Sequence, residues 1–75
     1  MSEQVLSLER LAALIDEKRP TCTCGSRLHG GDIRHYGPHM GGVHVEDFDE
    51  KRWVYVTCRD CGYDVALHKI WGELA

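Results

Sequence analysis

"VTCRDCGYDV" (residues 56–65) carries two cysteines, Cys58 and Cys61, two residues apart, with a glycine directly behind the second. The residues around this turn decide the fold. Just ahead lies KRWVYVT (51–57), in which every residue from 53 to 57 is β-branched or aromatic, the types that suit a pleated strand. Behind it, YDVALHKI (63–70) alternates Tyr63, Val65, Leu67 and Lys69 with Asp64, Ala66, His68 and Ile70. Periodicity alone also allows a helix there, but the tight cysteine turn favours a strand. The only other cysteines, Cys22 and Cys24, lie in TCTCGSRLHG (21–30), again with a glycine, Gly25, directly behind the second. A short turn bearing two thiols offers two adjacent corners of a tetrahedron, and Zn²⁺ takes four such ligands with thiolate among its preferred donors. Glycine behind each pair lets the backbone turn tightly and aim amide N–H groups at the sulfurs.

Length makes such a staple useful. The chain has 75 residues, and a domain of this size buries only about 60% of its unfolded surface. Small domains therefore often lean on disulfides or a metal. With 43% hydrophobic and 28% charged residues, the composition is globular, and residues 1–75 are expected to form one domain. No apolar run is long enough to span a membrane, and the first twenty residues lack the basic start and apolar block of a signal peptide. A cytoplasmic protein with reduced thiols is the expectation.

Helical periodicity governs the N-terminal part. Leu8, Leu11, Ala12 and Ile15 fall on one stripe, which predicts a helix over about residues 8–19 that lids a small core. Ser7 is placed to cap it, and Glu9 suits the positive end of the dipole. Leu6 and Leu11 fall at the positions of a hydrophobic staple, and Pro20 ends the helix. From residue 21 the pattern changes: glycines and Pro38 punctuate the chain, with short strand patterns at DIRHY (32–36) and GVHVED (42–47). EDFDE (46–50) reads as a solvated acidic turn between strands.

Strand, C-x-x-C-G turn and strand, facing a second cysteine pair, resemble the zinc-ribbon family over about residues 22–69. The residues that carry the resemblance are Cys22, Cys24, Gly25, Cys58, Cys61 and Gly62. It implies two knuckles gripping one zinc ion beside a small antiparallel sheet. The first pair departs from the family, being C-x-C where C-x-x-C is usual, and the 33 residues between the pairs exceed a minimal ribbon. The expected architecture is thus a small metal-stabilised α+β domain, its N-terminal helix packed on a three-stranded antiparallel ribbon sheet over residues 20–70. One Zn²⁺ per chain is expected on Cys22, Cys24, Cys58 and Cys61. Other chemistries stay open on the residues alone: His29 in place of one thiol, a redox or disulfide pair, or iron in the same tetrahedral sulfur set.

Four thiolates would close the coordination shell and leave no open position for catalysis. No nucleophile–base pair or phosphate loop is recognisable, so a binding module rather than an enzyme is expected. A protein partner is the first expectation for its role as adaptor or accessory factor. Nucleic acid is the second, through Lys18, Arg19, Arg27 and Arg34, which between residues 18 and 45 meet only Asp32 as counter-charge. The chain as a whole argues the other way. Its net charge is −3, and four thiolates on a divalent ion would take it to −5, whereas phosphate binding needs a basic footprint. His29, His35, His39 and His44 cluster in the 29–44 loop region, where surface or hydrogen-bonding roles are the default. Trp53 and Tyr55, with Tyr63 and Trp71, are expected to build the second half of the core beneath the helix.

Overall fold

The computed structural model describes residues 7–74. Helix α1 spans Leu8–Lys18, and Ser7 caps it by accepting the Arg10 N–H at 3.1 Å. A second cap comes from far along the chain, where the Asp47 carboxylate accepts the Leu8 N–H at 2.9 Å. Negative charge is favourable at that end of a helix. At the other end Arg19 adopts the left-handed conformation (φ 48°) and donates its N–H to the Ile15 carbonyl. That bond satisfies one of the orphaned carbonyls before the buried Pro20 stops the helix. Leu11 and Ile15 are buried on the inner stripe, each worth about 1.5–3 kcal/mol of transfer free energy. The expected staple partner Leu6 lies outside the described residues.

The sheet is antiparallel and four-stranded: β1 (Ile33–Tyr36), β2 (Val43–His44), β3 (Lys51–Thr57) and β4 (Asp64–Ala66). A three-stranded sheet is expected from the sequence; the structure has four strands, with the short patterns at DIRHY and GVHVED both joining the sheet. All pairing runs through β3. Ile33 lies opposite Val56 and Tyr36 opposite Trp53; Val43 lies opposite Arg52; Val65 lies opposite Val56 and Ala66 opposite Tyr55. Gly42 is required where β2 begins, because a Cβ there would overlap the Arg52 carbonyl.

The predicted strand over 63–70 is corrected. Only Asp64–Ala66 are extended, and Leu67–Leu74 form a second helix, α2. Leu67, Ile70 and Leu74 are its buried residues. Their i, i+3, i+7 spacing outweighs the alternation that ends at Ala66.

Alternation along β3 puts Val54 and Val56 in the core, at 2% and 0% exposure. The core joins them to Leu11 and Ile15 of α1, to Leu28, Val45 and Val65, and to Leu67, Ile70 and Leu74 of α2. The expected aromatic core is thereby overturned. Trp53 and Tyr55 face the other side and are half-buried, while Tyr63 and Trp71 are exposed. The two valines, with small side chains, let both helices approach the sheet, and the aromatic rings pack against one another outside.

The acidic segment 46–50 is not merely solvated. Asp47 caps α1, and Phe48 packs against the core. Arg52 lies 4.2 Å from the Phe48 ring centroid and pairs with Glu50 at 2.7 Å. No helix among the described residues is long and apolar enough to cross a membrane.

Candidate metal centre

Both cysteine turns are built by the same three backbone features. In the first, the Cys22 N–H donates to the Ser26 carbonyl at 2.7 Å, and the Gly25 N–H returns to the Cys22 carbonyl at 2.9 Å. In the second, the Cys58 N–H donates to the Tyr63 carbonyl at 2.8 Å, and the Gly62 N–H returns to the Cys58 carbonyl at 2.9 Å. Gly25 and Gly62 take φ values of +94° and +75°, the region where only glycine is unstrained. The C-x-C turn is therefore the C-x-x-C turn shortened by one residue, with the same closing bonds.

The glycine amides themselves bond carbonyls rather than sulfurs. The positive φ instead swings the following amide onto the sulfur of the second cysteine: Ser26 onto Cys24, and Tyr63 onto Cys61. Backbone N–H groups aimed at a sulfur favour its thiolate. The Ser26 amide and hydroxyl, with the neighbouring sulfurs, bring Cys24 from its ordinary 9.0 down to about 6. At Cys61 the Tyr63 amide acts in the same direction, but desolvation and the three other sulfurs outweigh it and push the thiol up to about 12. Crowded sulfurs thus hold one proton tightly when no cation is there to replace it.

The knuckles interlock. Cys22 Sγ lies 3.6 Å from Cys61 Sγ, and Cys24 Sγ lies 3.6 Å from Cys58 Sγ. All four sulfurs fall within 4.8 Å of one another. A tetrahedron with Zn–S bonds of about 2.3 Å has S···S edges of about 3.8 Å, so the donor set fits a tetrathiolate ion. A disulfide needs about 2.05 Å, and all four cysteines are free thiols. Cys22 and Cys58 are buried, whereas Cys24 and Cys61 are exposed. Such a centre would lie at the edge of the core, two ligands facing inward and two facing water.

Side-chain links hold the knuckles in place. Arg19 Nε donates to the Leu28 carbonyl at 2.9 Å, and Arg27 Nη1 donates to the Arg19 carbonyl at 3.0 Å, tying the first knuckle to the end of α1. Arg59, between Cys58 and Cys61, pairs with Asp32 at 2.7 Å. The Thr21 N–H also approaches Glu73 of α2 at 3.4 Å.

His29 is not part of the sulfur group. Its Nε2 lies 3.3 Å from Arg19 Nη2, and the group consists of the four cysteines. His35 and His39 form no second metal group among the described residues. His35 Nδ1 accepts from Arg52 Nε, and His39 Nδ1 accepts the Gly41 N–H. The basic stretch is divided in space, since Arg19 and Arg27 serve the first knuckle while Arg34 lies in β1. Amides aimed at the sulfurs are expected from the sequence, and the structure identifies them as those of Ser26 and Tyr63; the Asp47 cap was missed. The repeated Cys-Gly step was the available signal for the amides. No family model, curated protein or solved structure matches the chain.

Proposed function

We propose that the chain is a zinc-ribbon-like binding module in which Cys22, Cys24, Cys58 and Cys61 hold one Zn²⁺ as thiolates. The ion is structural, and the module acts as a protein-interaction adaptor. One observation carries this reading. Two turns that are distant in sequence, each closed by the same hydrogen bonds, bring four free thiols to within 4.8 Å of one another. Thiolate sulfur suits zinc, and a complete set of four leaves no coordination position for substrate.

The energetics favour a structural ion. Zinc contributes about 10–16 kcal/mol of apparent binding free energy in small thiolate sites at neutral pH. A whole domain is stable by only about 5–15 kcal/mol. The adaptor role is supported by the outer face of β3, which carries Trp53 and Tyr55 while the buried residues of both helices pack on the opposite face. Intact-mass spectrometry under native and denaturing conditions tests the metal. One zinc per chain, lost on denaturation, is expected. A bare polypeptide under native conditions, or sulfurs bridged to each other, would overturn the reading.

A further inference from the structure

The outer face of the sheet presents an unusual surface for so small a protein. Tyr36 of β1 lies opposite Trp53 of β3, with ring centroids 6.4 Å apart, and 6.0 Å from Tyr55. His39 reaches over to Trp53 at 5.3 Å, and His68 of α2 reaches it from elsewhere at 5.8 Å. These rings meet at angles between 42° and 87°. The rings are tilted against one another and do not make a flat shelf. Tyr36 is half-exposed, and the neighbouring Met40 is almost fully so. Tryptophan, tyrosine, methionine and arginine are the residues that protein interfaces favour.

Charge selects among occupants. Arg34 shares this face with Tyr55, and Lys51 shares it with His44. Against these stands Asp64, opposite Thr57, whose carboxylate accepts the Thr57 hydroxyl. The face is cationic on a chain that is anionic as a whole. A polyphosphate longer than the face would meet that net repulsion, and the acidic residues 46–50 run directly into Lys51. A short ligand with a few carboxylates would not.

Shape selects further. β3 has seven residues, or about 23 Å at about 3.3 Å each, which matches about seven residues of polyproline II at about 3.1 Å each. That helix has no internal hydrogen bonds and leaves its carbonyls free. The indole and phenol side chains of Trp53, Tyr36 and Tyr55 carry both a hydrogen-bond donor and an apolar ring, the chemistry that binds proline-rich segments. From these features we infer that the outer sheet face docks a short, extended, proline-containing peptide that bears carboxylates. The inference rests on the adaptor reading and names the chemistry of the partner.

The test is a titration of the isotope-labelled full chain with a synthetic peptide of repeated Pro-Pro-Glu, followed by amide and side-chain NMR. Saturable shifts are expected at Arg34, Tyr36, His39, Trp53, Tyr55 and His68. Affinity should fall about tenfold or more in Tyr36→Ala and in Arg34→Glu, with Glu17→Ala, on the exposed side of α1, unchanged. A Gly-Gly-Glu peptide should bind much more weakly. Equal binding of that peptide would overturn the inference, as would tighter binding of single-stranded oligouridylate or oligothymidylate to the same face. So would shifts of the same resonances on dilution alone, which would assign the face to a second copy of the chain. Intact mass before titration reports on the zinc site separately. A zinc-loaded, well-dispersed chain that ignores the peptide overturns this inference alone. A metal-free, dispersed chain that binds it overturns the zinc reading alone.

Discussion

The Gly30 backbone N–H donates to Asp16 Oδ1 at 2.8 Å, fastening the 3₁₀ turn at Gly30–Asp32 onto α1. The approach is so close that a Cβ at position 30 would overlap the Ala12 carbonyl oxygen. That obstacle is helix backbone, which cannot rotate aside. Gly30→Ala should therefore destabilise the zinc-loaded protein by about 1–3 kcal/mol, the usual cost of overpacking. Asp16→Ala, which only removes the acceptor, should cost about 1 kcal/mol. Urea denaturation at fixed zinc measures both, and midpoints equal to the parent's would contradict the docking.

Ile15 is completely buried beneath the sheet. Ile15→Ala deletes atoms from a site whose surroundings are pinned by two helices and two knuckles, so the cavity has little freedom to collapse. A loss of about 2–5 kcal/mol is expected. Ser7→Ala removes one of two caps on the same helix and should cost about 1 kcal/mol. Reversing that order would show that the lid helix is held by its end rather than its face.

Metal removal should act on more than the knuckles. Cys22 and Cys58 belong to the same buried cluster as Val56 and Leu28, so separating the sulfurs opens the core. A chelator should collapse the dispersed amide signals of residues 42–70. Unchanged dispersion in metal-free protein would count against a structural ion.

The inner and outer ligands should also differ. Cys58 is 2% exposed at the end of β3, whereas Cys61 faces water. Cys61→Ser leaves three thiolates and an accessible fourth position. It should bind zinc more weakly yet keep a dispersed spectrum. Cys58→Ser places a hydroxyl in an apolar site, which costs free energy of its own, and should lose both metal and dispersion. Equal behaviour of the two variants, by metal content and amide spectra, would refute the inner–outer distinction.

Much of this arrangement is legible in the chain. The stripe of Leu8, Leu11 and Ile15 locates α1, the β-branched and aromatic run locates β3, and the two Cys-Gly turns locate the sulfur group. Alternation along β3 defines two faces but does not say which is buried, and the size of Trp53 and Tyr55 points to the wrong one. Cys58 held the missing clue. It must turn inward to meet the other knuckle, and a period of two then places Val56 and Val54 on its side. The switch at Leu67 was less accessible, because Ala66 and Leu67 satisfy strand and helix patterns alike. Asp47 was beyond reach, since its partner Leu8 is 39 residues away.

Proton release offers the sharpest test of the sulfur electrostatics. Metal-bound cysteine is thiolate, so uptake expels whatever protons the thiols hold. Near neutral pH Cys24, at about 6, has already lost its proton. Cys61, at about 12, keeps its own until the ion arrives. Zinc uptake should then release fewer than four protons from the four thiols. The sign of the pH dependence follows from the same two groups. Cys24 is depressed on folding, so its contribution to the metal-free fold is complete above its ordinary value near 9 and is lost as pH falls through about 6. Cys61 is raised, so its contribution is complete below about 9 and is lost as pH rises through about 12. Acidification below about 6 should add the Cys24 proton to those released and weaken zinc binding. Calorimetry in buffers of different ionisation enthalpy counts these protons. A constant release of four across the neutral range would show that the Ser26 amide does not hold Cys24 as a thiolate.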